Sequence, residues 1–199
     1  GVRKRHIESA LQLGYRHLDT AEAFDWGYHE DEVGDAWQAS GLPRSVICIQ
    51  TKIHPDNLGF QRTMRAFGQC LARLKTDYVD SVLIHAPEHG WKETWTAFTE
   101  LYQTGKARAI GVSNINVQGL KYLIKQPQKP HVVQNWMDPF HQDRVVREIC
   151  LREGIQYQSY STLGMWWLRN GGYRSNPVLT DPTLVAIANE RDCDVGQVI

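Results

Sequence analysis

The chain has 199 residues, and its 22 Lys and Arg balance its 22 Asp and Glu, so its formal net charge at pH 7 is zero. This balance excludes the basic surface of a nucleic-acid-binding protein or of a protein that binds acidic membranes. A hydrophobic content of 42%, with seven Trp and eight Tyr, excludes overall disorder, and no apolar run is long enough to span a bilayer.

Six short segments rich in β-branched and aromatic residues predict β-strands, and segments with helical periodicity separate them. The helices are clearest over 60–74, 91–102 and 145–150, where apolar residues recur on one face. The predicted strands are YRHLDTA (15–21), VICIQTK (46–52), YVDSVLIHAP (78–87), ARAIGVSN (107–114), HVVQNWMD (131–138) and IQYQSYST (155–162). This alternation predicts βαβ units and a parallel sheet.

Two architectures contain such a sheet, an open doubly wound sheet and a (β/α)8 barrel. The open sheet usually has a glycine-rich phosphate-binding turn, and neither G-x-G-x-x-G nor G-x-x-x-x-G-K-[ST] occurs here. A barrel places reactive side chains at the carboxyl ends of several strands. Polar residues stand at or near these ends, namely Asp19, Lys52, His85, Asn114, Gln134, Asp138 and Tyr160. We therefore predict the α/β class with a parallel (β/α)8 TIM barrel.

The predicted barrel is incomplete. Eight strands close such a ring, whereas this chain has about six βα units, which leaves two sheet edges unpaired. We therefore expect residues 1–199 to form a single domain, a partial barrel that is an internal piece of a longer protein.

Cysteine usage bears on the compartment of the protein. The four cysteines are dispersed and include no C-x-x-C pair, which indicates reduced thiols rather than disulfides or a zinc site. The opening segment GVRKRHIESAL lacks the pattern of a signal peptide. We therefore predict a cytoplasmic location.

Three reactive residues recur at a constant interval. Lys52 follows Asp19 by 33 residues, and His85 follows Lys52 by 33, which is about the length of one βα unit. The spacing predicts that the three side chains meet at one end of the sheet. A carboxylate orients an ammonium, the ammonium lowers the pKa of a nearby hydroxyl, and an imidazole hydrogen-bonds a carbonyl oxygen. The set suits polarising and protonating a carbonyl.

Each of these residues alone also has an ordinary structural interpretation, as a turn aspartate, a solvated lysine or a hydrogen-bonded core histidine. A metal-dependent hydrolase using His54, His85 and Asp138 is the weakest hypothesis. The sequence has no short-spaced ligand pair such as H-x-H or H-E-x-x-H. We therefore predict no metal ligands.

Several segments together form a specific pattern, which covers nearly the whole chain. They are ALQLGYRHLDTAEAF…DEVGDAW, IQTKIHP, LKTDYVDSVLIHAP, ARAIGVSN, VVQN…DPF and GIQYQSYSTLG. In order and spacing they resemble the aldo-keto reductases, a family of NAD(P)H-dependent carbonyl reductases. The resemblance implies hydride transfer to a small aldehyde or ketone substrate, with NADP as cofactor and NAD as the alternative.

The resemblance also implies roles for individual residues. Asp19, Lys52 and His85 look like three of the family's four catalytic residues. Other positions match those that hold the nicotinamide carboxamide, stack on the nicotinamide ring and begin the pyrophosphate loop. The carboxamide positions are Ser113, Asn114 and Gln134, the stacking position is Tyr160, and the pyrophosphate loop begins with Ser161, Leu163 and Gly164.

The fourth catalytic position departs from the family pattern. A tyrosine is expected five residues after Asp19, and Phe24 stands there without a hydroxyl to donate a proton. Tyr28 follows in the loop DWGYHED, and four extended residues span up to about 13–14 Å, so it can reach the site. Either Tyr28 supplies the phenol, or the chain is a cofactor-binding, non-catalytic regulatory homologue.

Other departures concern the choice of substrate and cofactor. His54 and Ala86 stand where the family often has tryptophan, which changes the pocket. The family's first and eighth strands are absent, as is the Lys-Ser-x-x-x-Arg segment that holds the 2′-phosphate. The sequence therefore predicts neither the individual substrate nor the oligomeric state. We expect residues 166–172 to form a loop that covers the pyrophosphate or packs as a lid.

Overall fold

The computed structural model describes residues 2–199, in which strands and helices alternate. The strands are β1 (His17–Asp19), β2 (Cys48–Ile53), β3 (Ser81–Ile84), β4 (Ile110–Ser113), β5 (Val132–Trp136) and β6 (Gln156–Tyr160). The α-helices are α1 (Val2–Gln12), α2 (Glu30–Ala39), α3 (Phe60–Leu74), α4 (Trp91–Gln103), α5 (Val117–Ile124), α6 (Arg144–Glu153), α7 (Met165–Asn170), α8 (Pro182–Glu190) and α9 (Val195–Val198). Each predicted strand is confirmed, although each is shorter than predicted.

The strands form one parallel sheet in chain order, β1-β2-β3-β4-β5-β6. The sheet curls, since Gln50 of β2 donates a hydrogen bond to Gln158 of β6 across the interior, at 2.9 Å. The result is part of a (β/α)8 barrel with helices outside it, as predicted.

Burial differs between the centre of the sheet and its edges. All four residues of β3 are buried, because helices cover one face and the barrel interior covers the other. In contrast, β1 and β6 each pair on one side only and leave some residues exposed. Within residues 2–199, these are the two unpaired edges that the sequence predicts.

Helix α3 follows its sequence periodicity closely. It spans the predicted residues and buries a face that includes Phe67 and Cys70. Helix α2 packs closely against its end, because a Cβ on Gly34 would collide with the carbonyl oxygen of Arg73. The two helices thereby cover neighbouring strands at the start of the sheet.

The prediction of a loop over 166–172 was wrong for most of that segment, which forms α7. Gly164 precedes the helix with a left-handed φ of 79°, and the Trp167 N–H donates to its carbonyl oxygen at 3.2 Å. The Trp167 indole N–H also donates to Asp138 Oδ2 at 2.8 Å. A six-residue helix is too short for periodicity to reveal, and it is held by this long-range contact.

The structure also describes the thiols and the lengths of the helices. Cys48, Cys70, Cys150 and Cys193 are free, and burial raises the pKa of Cys150 to about 11. Every helix within residues 2–199 is too short or too polar to serve as a transmembrane span.

Candidate active site

A cleft at the carboxyl ends of the strands collects the reactive residues singled out by the sequence. Asp19 ends β1, Lys52 is the second-last residue of β2, and His85 directly follows β3. All three border one cleft of about 590 Å³. The constant interval in the sequence therefore corresponds to proximity in space, because neighbouring parallel strands end at the same edge.

Lys52 and Asp19 form an ion pair in this cleft. Lys52 Nζ lies 2.6 Å from Asp19 Oδ1 and also donates to the Thr20 carbonyl oxygen at 3.1 Å. The Lys52 side chain is only 2% exposed, and this burial lowers the pKa of its ammonium, while the charge and hydrogen bond of Asp19 oppose the shift. The pair presents a desolvated ammonium, held by one carboxylate, to a ligand of the cleft.

Tyr28 contributes a phenol to the same cleft. The centre of its ring is 5.5 Å from Lys52 Nζ and 5.6 Å from the centre of the His85 ring. Burial raises the pKa of the Tyr28 hydroxyl, the charge of Asp19 adds to the rise, and Arg169 opposes it. The hydroxyl therefore keeps its proton at neutral pH, and the ring that carries it lies close to the ammonium.

Phe24 is placed differently from Tyr28. Its ring packs edge-on against His29, with centroids 5.1 Å apart, and the Arg73 guanidinium lies 5.7 Å from its centre. Phe24 is 45% exposed and is not among the residues that line the cleft. A turn separates the two aromatic residues, closed by the Tyr28 N–H donating to the Ala23 carbonyl oxygen at 3.0 Å.

The His85 imidazole is uncharged at neutral pH. Burial lowers its pKa to about 4, the charges of Lys52 and His54 add to this effect, and Asp19 opposes it. His85 Nδ1 is buried and has no hydrogen-bond partner among the described residues. A neutral imidazole carries one N–H donor, so His85 can orient an oxygen acceptor that binds in the cleft.

Most residues expected to hold a nicotinamide cofactor border the cleft, namely Ser113, Asn114, Gln134, Tyr160 and Ser161. Asn114 follows β4, and its Nδ2 donates to the His85 carbonyl oxygen at 2.8 Å. The Tyr160 hydroxyl donates to Asn114 Oδ1 at 2.6 Å. Leu163 and Gly164 lie farther along the chain, at the start of α7, and do not line the cleft.

Amide side chains hold both oxygens of the Asp19 carboxylate. Gln50 donates to Oδ1 and Gln134 donates to Oδ2, each at 3.0 Å. Both amides also donate to Gln158 Oε1, at 2.9 Å and 3.2 Å. Gln134 thereby engages both of its N–H groups, which leaves its Oε1 as the atom that can accept a hydrogen bond from a ligand.

Asp138, one of the three residues of the metal hypothesis, is engaged by two tryptophans. Asp138 accepts hydrogen bonds from the indole N–H groups of Trp136 and Trp167, at 3.0 Å and 2.8 Å. In the part of the chain that the structure describes, no group of three or more His, Cys, Asp or Glu side chains is arranged to hold a metal ion. Asp138 serves instead as an anchor for α7.

Comparison with known proteins identifies the family. The model of the Aldo/keto reductase family matches residues 3–199. The chain belongs to the aldo/keto reductase family. It is 36% identical over 195 residues to the glyoxal reductase of Bacillus subtilis, a match that covers 97% of this chain and 66% of that protein. It is 34% identical over 202 residues to the morphine 6-dehydrogenase of Pseudomonas putida, with 97% and 67% covered.

Solved structures show the same fold in other aldo-keto reductases. The enzyme from Brucella melitensis has a TM-score of 0.86 and 35% identity, over 98% of this chain and 72% of that one. The Bombyx mori aldo-keto reductase, solved in complex with NADP, has a TM-score of 0.88 and 29% identity, over 98% and 67%. These matches confirm the family and the barrel fold. The chain spans about two thirds of the length of the two curated relatives.

In this member of the family, several residues beyond those predicted contribute to the cleft or to its charges. Trp26 and Arg169 line it, and Gln50 and Gln158 belong to the amide network around Asp19. Strand alternation could have identified the two glutamines, because each stands two residues before a predicted site residue. Trp26 ends a single 3-10 turn and Arg169 lies in the six-residue helix α7, and both elements are too short to show a periodic signal.

Proposed function

We propose that this aldo-keto reductase reduces an aldehyde or ketone to an alcohol with NADPH, and that Tyr28 supplies the proton. The observation that carries the proposal is the position of Tyr28, whose ring centre lies 5.5 Å from the Lys52 ammonium in a cleft that Asp19 and His85 also border. NADP is preferred over NAD because a similar structure, that of the Bombyx mori enzyme, contains NADP.

The cleft suits a nicotinamide cofactor in its chemistry. Its volume of about 590 Å³ lies in the range of small-molecule sites. Because both N–H groups of Gln134 are engaged, its Oε1 favours a ligand that donates a hydrogen bond. Amide and hydroxyl groups would hold the carboxamide in one orientation, and a flat ring would select one face of the nicotinamide. When bound, the cofactor supplies a hydride to the carbonyl carbon. The residues proposed to hold it are Ser113, Asn114, Gln134, Tyr160, Ser161, Leu163 and Gly164.

The residues of the chain handle the proton. Asp19 holds the Lys52 ammonium at 2.6 Å, and this positive charge favours negative charge on the Tyr28 oxygen as its proton leaves. Burial and the charge of Asp19 keep the phenol protonated before the reaction. Tyr28 therefore acts as the general acid that protonates the carbonyl oxygen.

His85 orients the substrate. Its neutral ring donates one hydrogen bond to the carbonyl oxygen, while the Trp26 ring, 4.7 Å from His85 and 4.6 Å from His54, provides an apolar wall. A single donor beside an apolar wall suits a small carbonyl compound. The names of the Bacillus subtilis and Pseudomonas putida relatives, a glyoxal reductase and a morphine dehydrogenase, support this substrate class.

The proposal is tested by NADPH oxidation with methylglyoxal as the probe. The protein should oxidise NADPH, and Lys52→Met should lower kcat by about 10²-fold or more, because a positive charge beside the proton donor is lost. Lys92→Met is the matched control, since that lysine lies over the Tyr122 ring outside the cleft. Equal rates in the protein and in Lys52→Met would contradict the proposal.

The alternative function, a cofactor-binding regulatory homologue, stays a prediction that depends on Phe24. It requires NADPH binding without carbonyl-dependent NADPH oxidation, and a large gain of rate on Phe24→Tyr. The cytoplasmic location likewise stays a prediction, based on the dispersed free cysteines.

A further inference from the structure

Two glutamines lie inside the barrel, one layer before the reactive residues. Gln50 on β2 and Gln158 on β6 stand two residues before Lys52 and Tyr160, so each shares a strand face with its partner. Gln50 is fully buried and Gln158 is half-buried. Their side-chain hydrogen bond joins two strands that do not pair with each other through the backbone.

The Gln50 amide has one orientation because all of its polar atoms are engaged. Its Nε2 donates to Asp19 Oδ1 at 3.0 Å and to Gln158 Oε1 at 2.9 Å. Its Oε1 accepts from the Ser81 hydroxyl at 2.8 Å. Turning the amide over would place oxygen against oxygen at Asp19 and at Gln158. The nitrogen therefore faces the carboxylate.

Burial alone does not fix the position of the Asp19 carboxylate, so hydrogen-bond donors are needed to hold it. Its side chain is 35% exposed, whereas that of Lys52 is 2% exposed. N–H groups that donate to a carboxylate fix the direction of its oxygens. A neutral amide does this without adding a positive charge, which would compete with the Lys52 ammonium for the carboxylate. A leucine in place of Gln50 would remove the donor and leave the volume of the side chain nearly unchanged.

We propose that Gln50 and Gln158 are positioning residues that keep the Asp19 carboxylate directed at Lys52, so that the Lys52 ammonium stays charged in spite of its burial. Besides Asp19, the titratable groups facing Lys52 are Tyr28, whose ring centre is 5.5 Å from Nζ, and His85, which feels the charge of Lys52. The effect on catalysis rests on the proposed reductase function, whereas the effect on Lys52 itself does not.

The protonation of Lys52 can be measured without reference to activity. In protein labelled with ¹³C at the lysine ε-carbon, Lys52→Met identifies the Lys52 signal, and a pH titration gives its midpoint. Gln50→Leu should lower this midpoint by about one pH unit, which is a tenfold change in the protonation constant. The alkaline limb of the pH profile of methylglyoxal reduction should shift to lower pH by the same amount, with an unchanged KM for NADPH.

A control and a second variant complete the test. The control is Thr63→Val, which removes a buried hydroxyl of α3 that lies 3.0 Å from the Thr94 hydroxyl of α4. This variant should lose stability without changing the contacts of Asp19, so the Lys52 midpoint should not move. If Gln50→Leu does not fold, Gln158→Met replaces it and should lower the midpoint by less, because Gln158 reaches Asp19 only through other amides.

The outcomes separate this inference from the proposed function. An unchanged Lys52 midpoint in the folded variant would overturn the positioning role, whatever the activity. A lowered midpoint in a protein that reduces no carbonyl would support the positioning role and contradict the reductase function.

Discussion

The centre of the Tyr28 ring lies 5.5 Å from the Lys52 ammonium, whereas Phe24, four residues earlier, packs against His29 outside the cleft. The turn between the two aromatic residues is closed by a backbone hydrogen bond from Tyr28 to Ala23. A tyrosine ring thus lies near the ammonium in a chain whose expected tyrosine position holds phenylalanine.

Tyr28→Phe should therefore abolish most carbonyl reduction. The substitution keeps the ring and removes only the hydroxyl that we propose as the general acid, a contribution of about 10²–10⁴-fold. We expect kcat for methylglyoxal to fall within this range while the dissociation constant for NADPH, measured by fluorescence quenching, stays the same.

Phe24→Tyr is the matched control for that experiment. The Phe24 ring contacts His29 and the Arg73 guanidinium, is 45% exposed and does not line the cleft, so we expect a hydroxyl added there to stay outside the cleft. The rate should not rise. A large gain in Phe24→Tyr together with full activity in Tyr28→Phe would reverse the assignment and favour the non-catalytic alternative.

His85 should make the protein less stable in mild acid. Burial lowers its pKa in the folded state from about 6.5 to about 4. Between these values the unfolded chain binds a proton that the folded chain does not, so stability falls as pH drops from about 6.5 to 4. The full effect is about 3 kcal/mol. Urea unfolding at pH 7 and pH 4.5 measures it as a change in the free energy of unfolding.

His85→Gln should flatten this pH dependence, because glutamine does not titrate. The matched control is His89→Gln, which replaces an exposed histidine outside the cleft and leaves His85 in place, so the acid sensitivity caused by His85 should remain. If the protein and His85→Gln lose stability equally over this interval, other groups cause the acid sensitivity.

Much of the fold could be predicted from local patterns. The run at 46–52 is rich in β-branched residues, which indicates a strand, and the segment 60–74 repeats its apolar residues on one face, which indicates a helix. Short connections between parallel strands then determine the order of the sheet. The helix α7 was missed because its position depends on a hydrogen bond to Asp138, far away in the sequence.

The candidate site likewise contains residues whose position could be predicted from the sequence and one whose position could not. The 33-residue interval predicts that Asp19, Lys52 and His85 come together, since each βα unit returns the chain to the same edge of the sheet. The position of Tyr28 could not be derived, because it depends on one tight turn, in which Gly27 has a φ of 90°, and on contacts with rings from other loops.

Trp26→Ala should change the choice of substrate more than the binding of cofactor. The Trp26 ring meets the rings of His54 and His85 edge-on, at 4.6 Å and 4.7 Å, and it lines the cleft. Loss of an aromatic contact of this kind costs about 1 kcal/mol, so KM for phenylglyoxal should rise about five- to tenfold, and KM for methylglyoxal should rise less.

Trp91→Ala gives the comparison, because Trp91 on α4 contacts Tyr122 and does not line the same cleft. Its KM values should match those of the unmodified protein. Equal rises of KM for both carbonyl compounds in Trp26→Ala would show that the indole does not contact the substituent of the substrate.

Asp138→Asn should release α7 from the cleft. Asp138 is 2% exposed, and its Oδ2 accepts the indole N–H groups of Trp136 and Trp167. An asparagine nitrogen at that place cannot accept, and an unpaired buried donor costs about 1–3 kcal/mol. Amide hydrogen exchange in α7 should accelerate about tenfold or more. Because α7 lines the cleft, we expect NADPH to bind more weakly as well.

Asp80→Asn makes the same change at the opposite end of the sheet, just before β3. Asp80 accepts from the Arg44 guanidinium and from the Ile49 N–H, at 2.8 Å and 2.9 Å, so this variant should lose stability. Its α7 exchange and its NADPH affinity should not change, because these contacts are remote from the cleft. If α7 keeps its protection in Asp138→Asn, the stacked rings of Trp136 and Trp166, 4.9 Å apart, hold the helix without the carboxylate.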